Sequence, residues 1–214
     1  MVGCVKTPAG LDYLTAPEVP ADLIEVRLDE LIHAGVGVEV IEAALRKRRH
    51  PALLTARASR EGGARKWKPD ERTRLLLRLL DHADAVDLEL ADLPRLQRVL
   101  STAAQQGVHV ILSVHALQQP ASNDQLRAWV QSFLEQTAFC YKMAVRLQNQ
   151  GDLHQLVDIL LRNPHKRWAL MGLGPDAPRS RGVLAGLGSL LVYGYLDEPT
   201  APGQPSTKQL IKNL

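Results

Sequence analysis

The stretch Leu23-Ile-Glu-Val-Arg-Leu-Asp29 alternates aliphatic and charged side chains. Successive side chains of a β-strand point to opposite faces, so Glu25, Arg27 and Asp29 are predicted to share one face and the aliphatic residues the other. When helices cover a parallel sheet from outside, the covered face must be apolar. The charged face of this strand is therefore expected to point into the interior of a closed sheet.

Polar side chains at every second position recur in later strand-like runs: Thr55 and Arg57, Asp87 and Glu89, Ser113 and His115, and Cys140 and Lys142. Buried ions are costly unless they are paired, and hydrophobic replacements are often as stable. A single pair, such as Glu25 with Arg27, can be a structural salt bridge. Ionisable groups delivered to one interior by several strands instead predict a functional site near the carboxyl ends of those strands.

Strand-like runs alternate with amphipathic helical stretches along the whole chain, which predicts a (β/α)8 TIM barrel in the α/β class, with a doubly wound open sheet as the alternative. One catalytic domain over residues 1–214 is expected because no linker interrupts the pattern. The length is short for a barrel, so some helices must be short, first of all in the Leu11–Pro20 connection. The predicted strands are Val2–Val5, Asp22–Leu28, Ala52–Arg57, Ala85–Leu90, Val108–Val114, Ala138–Val145, Arg167–Met171 and Ser189–Tyr195. The predicted helices are Glu39–Arg49, Glu71–Leu80, Pro94–Gln106, Asn123–Gln136 and Leu153–Arg162, with a short one after Ser206.

The composition is that of an ordinary globular protein, with 45% hydrophobic and 23% charged residues and a net charge of +3. The densest basic run, Arg46-Lys-Arg-Arg49, ends a predicted helix, where cations are favourable, so no nucleic-acid partner is expected. Cys4 and Cys140 form no metal-binding or redox spacing and suggest a reducing compartment. Without a membrane-spanning run or a signal-peptide pattern, no membrane association is expected and the cytoplasm is the predicted location.

Lys142 is the single charge in the strand-like run Thr137-Ala-Phe-Cys-Tyr-Lys-Met-Ala-Val145. Burial in apolar surroundings lowers the pKa of a lysine and yields a neutral amine that can attack a carbonyl group. The alternative is that the ammonium pairs with a nearby carboxylate and only holds the sheet together. Among the chain's 7 histidines, His115 is the one predicted at the carboxyl end of a strand on the polar face.

These residues stand within a set of motifs that occur in a fixed order: Glu25-Val-Arg27-Leu-Asp29, Arg57-Ala-Ser-Arg-Glu61-Gly-Gly63, Asp87-Leu-Glu89-Leu, Ser113-Val-His115, Lys142-Met-Ala-Val, Ser180-Arg181 and Ala201-Pro-Gly-Gln204. Each motif alone is weak. Together, with each at the end of its own predicted strand or in the loop that follows, they resemble the type I 3-dehydroquinate dehydratase family. The resemblance extends from Glu25 to Gln204.

The resemblance implies a (β/α)8 barrel, a homodimer, and no metal or organic cofactor. It implies loss of water from 3-dehydroquinate to give 3-dehydroshikimate. Lys142 would condense with the substrate ketone, and the iminium would acidify the adjacent carbon. His115, expected to titrate near physiological pH, would remove that proton and later protonate the departing hydroxyl. Glu61 would orient His115 and fix its tautomer.

The remaining site residues are expected to bind the small-molecule substrate. Arg181 offers a planar fork for the substrate carboxylate, with Arg57 as a second candidate. Hydrogen bonds to the ring hydroxyls are assigned to Glu25, Arg27 and Gln204, and to Thr200, which stands where the family commonly has serine. The chain also departs from the family after His115, where Ala116 and Leu117 replace an Asn or Asp and a Phe.

Three alternatives stay open at this point. A Schiff-base aldolase on the same barrel would share the buried lysine but usually binds a phosphate through backbone amides. A non-catalytic sensor of dehydroquinate would keep the barrel but has no need for a lysine, a histidine and a glutamate together. The run Gly172–Gly182 can be mistaken for a phosphate-binding loop, but its two prolines remove amide donors, so an arginine-presenting loop is predicted there.

Overall fold

The computed structural model of the chain describes residues 1–68, 70–201 and 203–213. Its strands form one sheet in which each hydrogen-bonded pair is parallel, in the order β7-β6-β5-β4-β3-β2-β1-β8. The strands are β1 (Val2–Val5), β2 (Leu23–Arg27), β3 (Ala52–Thr55), β4 (Ala85–Glu89), β5 (His109–Ala116), β6 (Cys140–Arg146), β7 (Trp168–Leu173) and β8 (Tyr193–Tyr195).

Helices connect consecutive strands and cover the outer face of the sheet. The α-helices are α1 (Leu28–His33), α2 (Val38–Arg46), α3 (Glu71–Leu79), α4 (Leu93–Gln106), α5 (Asn123–Leu134), α6 (Gln150–Arg162), α7 (Ala177–Gly186) and α8 (Thr207–Asn213). Short 3-10 helices occupy Ala9–Leu14, Ser59–Glu61, Leu80–His82 and Leu90–Asp92. None of the helices in the described ranges is both long and apolar enough to cross a membrane.

The two ends of the sheet, β7 and β8, meet through the segment that precedes β8. The Leu190 amide donates to the Trp168 carbonyl at 2.7 Å, and the Leu170 amide donates to the Ser189 hydroxyl at 2.9 Å. Within the described ranges, β7 and β8 are not paired as strands. The two bonds instead hold the turn before β8 against β7. The sheet is therefore curled into a barrel with its seam between β7 and β8.

The strand register places the polar side chains of neighbouring strands at the same height in the interior. Thr55 is paired with Asp87, Glu89 with Ser113, and Ser113 with Lys142. The opposite faces carry the aliphatic side chains that pack under the helices in one large core. A smaller apolar cluster fills the interior around Val2, Leu53, Ala85, Ile111, Cys140, Ala169 and Tyr193.

The structure corrects two predicted elements. The strand expected over Ser189–Tyr195 is reduced to Tyr193–Tyr195, because Ser189 and Leu190 make single bonds across the seam. The run Gly172–Gly182, expected as a loop, is the end of β7 followed by α7. Pro178 lies in the first turn of α7, where an amide donor has no helical partner in any case.

Most other predicted elements are confirmed with small shifts at their ends, as is usual for element boundaries. The expected short helix in the Leu11–Pro20 connection is the 3-10 helix that ends at Leu14. Helix α1 was not predicted, and it changes the position of Asp29, which was expected on the same strand face as Arg27. The strand ends at Arg27, so Asp29 belongs to the helix that follows.

Candidate active site

A cavity of about 310 Å³ opens at the carboxyl ends of the strands. Side chains from the strands form its floor, and residues that follow β3, β7 and β8 form its rim. Every residue to which the sequence assigned a role lines this cavity: Glu25, Arg27, Arg57, Glu61, His115, Lys142, Arg181, Thr200 and Gln204. The strand ends thus gather residues that are far apart in sequence.

Lys142 lies at the floor of the cavity and is buried. Its Nζ donates to Asp87 Oδ2 at 3.0 Å and lies 3.5 Å from Glu25 Oε1. The ring of Tyr193 faces the same nitrogen, with its centroid 4.1 Å away. The sequence left open whether Lys142 is a neutral amine or an ammonium paired with a carboxylate. The structure shows carboxylate partners, and Lys142 nevertheless lines the cavity.

Glu25 is held by a partner on each oxygen. The Thr55 hydroxyl donates to Oε1 at 2.8 Å, and the Cys4 thiol donates to Oε2 at 2.9 Å. Burial opposes ionisation of this carboxyl, but the charges of Lys142 and Arg27 outweigh burial and lower the pKa of Glu25. Glu25 is therefore an anion whose two oxygens are already bonded within the protein.

Arg57 is fully engaged with groups on β4 and β5. Its guanidinium donates to Ser113 Oγ at 2.9 Å, to Asp87 Oδ2 at 3.1 Å and to Glu89 Oε1 at 3.4 Å. Burial disfavours the Asp87 anion, yet Arg57 and Lys142 hold the pKa of Asp87 well below its ordinary value. Arg57 touches the cavity, but its charge is neutralised by buried carboxylates.

Arg27 forms a two-bond pair with Asp29. Its Nε and a terminal nitrogen donate to the two carboxylate oxygens at 3.0 and 2.7 Å. The Glu25–Arg27 bridge that the sequence left open is therefore replaced by a bridge to the first turn of α1. Asp29 also accepts the backbone amides of Arg57 and Ala64, which fixes the segment that leads to Glu61.

His115 and Glu61 form a hydrogen-bonded pair at the side of the cavity. The imidazole Nδ1 lies 3.0 Å from Glu61 Oε2, and the backbone amide of His115 donates to the same oxygen at 3.0 Å. An Nδ1–H bonded to this carboxylate leaves Nε2 as the nitrogen with a free lone pair. Sequence reasoning expected Glu61 to orient His115, and the structure places the two at the distance that this requires.

Burial shifts the pKa values of His115 and Glu61 in opposite directions. Burial, reinforced by the charges of Arg57 and Lys142, holds the pKa of His115 well below its ordinary value, so the expectation of titration near physiological pH is wrong. Burial, reinforced by Glu89, raises the pKa of Glu61 to about 7. The imidazole is therefore neutral at physiological pH, in the form that accepts a proton.

Arg181 projects from α7 into the cavity and is buried. It donates to the Tyr193 carbonyl at 2.6 Å, and its Nε has no hydrogen-bond partner among the described residues. Burial lowers the pKa of Arg181 to about 10, with no carboxylate among the causes. A buried guanidinium in this condition is a site that an anion would stabilise.

Thr200 and Gln204 close the rim after β8. Gln204 Oε1 accepts from the Thr200 amide at 2.6 Å and from its hydroxyl at 2.9 Å. The Gln204 amide nitrogen lies 3.6 Å from Cys4 Sγ. Both side chains reach the cavity as expected, although Pro202 of their motif lies outside the described residues.

The family model described as type I 3-dehydroquinase matches residues 9–214 of this chain. The chain belongs to the type I 3-dehydroquinase family. The 3-dehydroquinate dehydratase of Methanocella arvoryzae is 31% identical over 203 residues, which are 95% of this chain and 90% of that protein. The protein of the same name from Methanosarcina acetivorans is 32% identical over 204 residues, covering 88% of this chain and 82% of its own length.

Comparison with solved structures identifies the fold. The crystal structure of 3-dehydroquinate dehydratase from Geobacillus kaustophilus has a TM-score of 0.87 at 21% identity, covering 100% of this chain and 88% of that one. Type I 3-dehydroquinate dehydratase from Clostridium difficile has a TM-score of 0.83 at 23% identity, covering 99% of this chain and 89% of that one. The (β/α)8 barrel predicted from the sequence is confirmed, and the open-sheet alternative is wrong.

This family member has an aliphatic wall beside its histidine. Leu117 lines the cavity and lies against Gly62, which has φ +86°. A Cβ at Gly62 would meet the end of the Leu117 side chain, which can move, so it is the positive φ that favours glycine there. Leu117, where the chain departs from the family, therefore packs against the turn that follows Glu61.

Among the residues that line the cavity of this family member, Cys4, Tyr193 and Arg146 have hydrogen-bonding or charged side chains to which the sequence assigned no role. Cys4 and Tyr193 lie on β1 and β8 and face the interior. Arg146 lies at the end of β6, two residues past Ala144, and is exposed at the rim. Extending the alternation from Lys142 along its strand would have found Arg146, whereas Cys4 and Tyr193 carry no charge to mark them. Within the described ranges, no group of three His, Cys, Asp or Glu side chains is arranged to hold a metal.

Proposed function

We propose that this chain is a 3-dehydroquinate dehydratase, a hydro-lyase that removes water from 3-dehydroquinate to give 3-dehydroshikimate through a lysine imine. One observation carries the proposal. A single cavity of about 310 Å³ contains a lysine, a neutral histidine bonded to a glutamate, and a buried arginine that has no carboxylate partner in the described part of the chain. Its size suits a small ring that carries a ketone, a carboxylate and hydroxyls.

Lys142 is assigned the covalent step. Its amine would add to the substrate ketone and lose water to form a protonated imine, which draws electrons from the adjacent carbon. Asp87 at 3.0 Å and Glu25 at 3.5 Å hold Nζ in place. Because neither contact depends on substrate, the lysine is positioned before binding. To attack, the ammonium must first give up a proton, and because the pKa values of both carboxyls are lowered, the neutral imidazole of His115 in the same cavity is the better acceptor.

His115 is assigned the proton transfers. With Nδ1 held by Glu61, Nε2 would remove the proton from the carbon next to the imine, and the electrons left behind would form an enamine. The resulting imidazolium would then donate that proton to the departing hydroxyl, releasing water. Glu61, 3.0 Å from Nδ1, would stabilise the imidazolium and hold the tautomer.

The binding roles follow from which cavity groups are still free. Arg181 is assigned the substrate carboxylate, because it is buried without an ionic partner among the described residues. Arg57 is the weaker candidate, because Asp87 and Glu89 already neutralise it. Thr200 and Gln204 would bond the ring hydroxyls from the rim. Arg27 and Glu25 would bond them from β2, where Oε2 of Glu25 can accept a second hydrogen bond beside that from Cys4.

The rival functions make different demands on the cavity. An aldolase with a phosphate subsite would need convergent backbone amides, whereas the cationic group here is a buried side chain, Arg181. A sensor would need no base, whereas His115 is neutral and bonded to Glu61. Both comparisons support the dehydratase.

Turnover of 3-dehydroquinate by the purified chain tests the proposal directly. The product is a conjugated enone acid, so its appearance is followed by ultraviolet absorbance. Addition of a chelator should leave the rate unchanged, because no metal is assigned a step. A folded protein that binds dehydroquinate without forming the absorbing product would support the sensor instead, and cleavage of a carbon–carbon bond would support the aldolase.

The eight strands belong to one sheet, which supports a single catalytic domain over the chain. Cys4 and Cys140 are buried free thiols, which supports a reducing compartment such as the cytoplasm. Val183, Leu187 and Leu190 are exposed apolar side chains on and after α7, which supports a homodimer. Light scattering of the purified chain measures its oligomeric state.

A further inference from the structure

Tyr193 is the one aromatic residue in contact with the lysine nitrogen within the described structure. Its ring centroid lies 4.1 Å from Lys142 Nζ. Tyr193 lies on the three-residue strand β8 with only 3% of its surface exposed. Its backbone carbonyl accepts the 2.6 Å bond from Arg181, so one residue contacts both the lysine and the arginine of the cavity. The ring is therefore fixed where the reacting nitrogen lies.

Formation of the imine changes what the nitrogen can bond. The overall step converts an ammonium and a ketone into a protonated imine and one water, R–NH₃⁺ + O=C → R–NH⁺=C + H₂O, with charge and atoms balanced. The ammonium has three N–H donors, whereas the protonated imine has one. Asp87 and Glu25 both lie close to the ammonium. At most one of them can keep a hydrogen bond to the nitrogen once the imine has formed.

The carboxylates are also held in place by other partners. Asp87 is bonded to Arg57 and Ser113, and Glu25 to Cys4 and Thr55. They are not free to follow the nitrogen as its geometry changes from tetrahedral to planar. The face of an aromatic ring attracts a cation through its quadrupole and needs no N–H donor, and this attraction is strongest where water is excluded.

We infer that the face of the Tyr193 ring stabilises the positive charge on the Lys142 nitrogen through the imine stage, when the carboxylate hydrogen bonds are reduced. This inference rests on the proposed function and adds a catalytic residue to it. Tyr193 contacts the reacting atom from the side of the cavity opposite to β4. The ring thereby favours the protonated imine, from which the proton is removed, over the neutral imine.

Fluorination of the ring tests this role without changing its shape. Phenylalanine, 4-fluoro-, 3,5-difluoro- and 3,4,5-trifluorophenylalanine are placed at position 193 and compared with one another. The initial rate of borohydride trapping at Lys142, read by intact mass in the presence of product, measures the protonated imine. Each fluorine weakens the attraction of the ring face for a cation. We therefore expect the trapping rate to fall stepwise with fluorine content, by about 3- to 30-fold over the series. Turnover should fall in the same order.

The same fluorinated residues at Phe133 are the matched control. Phe133 is buried in the helix-facing core and does not line the cavity, so trapping should not change there. A flat series at position 193, in proteins with unchanged thermal midpoints, overturns the inference while leaving the lysine mechanism in place. Tyr193→Leu gives a second measurement, and trapping as fast as in Tyr193→Phe would also overturn it. Absence of any adduct in the unaltered protein overturns the proposed function and this inference together.

Discussion

The two sides of the cavity differ in how fully their charges are bonded. The paired wall is lined by Arg27 and Arg57, which are bonded to the carboxylates Asp29, Asp87 and Glu89. The open wall consists of Arg181, Tyr193, Thr200 and Gln204, from α7, β8 and the segment after it. On the open wall, the arginine has a carbonyl partner and no carboxylate partner among the described residues.

The difference separates preorganisation from recognition. Groups whose bonds are complete in the free protein can position neighbours, because an added ligand does not need to displace water or rearrange them. Groups with missing partners contribute their bonds when the ligand arrives. Lys142 lies between the walls, bonded to Asp87 on one side and facing Tyr193 on the other.

The largest expected effect comes from removing the amine while keeping the charge. Lys142→Arg should keep a cation beside Asp87 and Glu25 but form no imine, so turnover should fall by at least ~10⁴-fold. Borohydride reduction with ligand should add the reduced ligand mass to the Lys142 peptide of the unaltered protein and to no peptide of the variant. Labelling at another lysine would remove Lys142 from the covalent role.

The next effect separates the base from the nucleophile. His115→Ala should lower turnover by ~10²–10⁴-fold, the usual loss for a general acid–base group. Trapping at Lys142 should persist, because the lysine and its carboxylate partners are unchanged. Both measurements are made on one folded preparation. Near-normal turnover would take His115 out of the mechanism and reopen the aldolase and sensor alternatives.

The comparison of the walls is tested by two matched substitutions. Arg57→Met leaves Asp87 and Glu89 as buried anions without this partner, so the free energy of unfolding should fall by about 3–5 kcal/mol. Arg181→Met removes a buried cation that has no carboxylate partner and leaves one carbonyl unbonded, so the loss should be no more than about 1–3 kcal/mol. Urea unfolding measures both.

The effect of the same two substitutions on KM should have the opposite order, with Arg181→Met larger than Arg57→Met. Arg181→Met should raise KM by about 10- to 100-fold, the value of a charge-assisted bond to the substrate carboxylate. If folded Arg57→Met raised KM while Arg181→Met did not, the carboxylate site would belong to the paired wall. In that case the distinction between the two walls would not describe recognition.

The smallest expected effect is the pH dependence of kcat/KM. The pKa of Glu61 is raised to about 7, so below that pH the carboxylate takes up a proton and His115 Nδ1–H loses its acceptor. Activity should therefore fall as pH drops, by about tenfold between pH 8 and pH 6 for one ionisation. His115 and Glu61 interact, so the measured value belongs to the pair. Glu61→Gln should remove this acidic limb, and a limb that persists there would assign it to another group.

The alternation of polar and apolar residues allowed much of the site to be predicted. The charged positions of β2, β4, β5 and β6 point inward because their neighbours must pack under the helices. The Glu61–His115 pair was expected from the resemblance to the family, and the two residues meet because the carboxyl ends of β3 and β5 lie at the same end of the barrel. Arg181 was predicted at the mouth, although α7 and not a loop presents it.

Other features could not be read from the alternation. Asp29 continues the pattern of Glu25 and Arg27, yet the chain turns into α1 after Arg27, so Asp29 serves as the partner of Arg27. The pKa of His115 is lowered by burial and then by the positive charges of Arg57 and Lys142, all of which depend on how the other strands surround it. Tyr193 has an ordinary apolar neighbourhood in sequence and becomes notable only because its ring faces Lys142.

The period-two patterning of the strands predicted the barrel and the inward-pointing set, and the order of the motifs along the chain predicted Lys142, His115 and Glu61 as candidate site residues, because both can be read from the amino-acid sequence. Which charges are neutralised and which remain free could be read only from the folded chain. Ion pairing and desolvation depend on the distances between strands, and those distances make Arg57 part of the paired wall and Arg181 part of the open one.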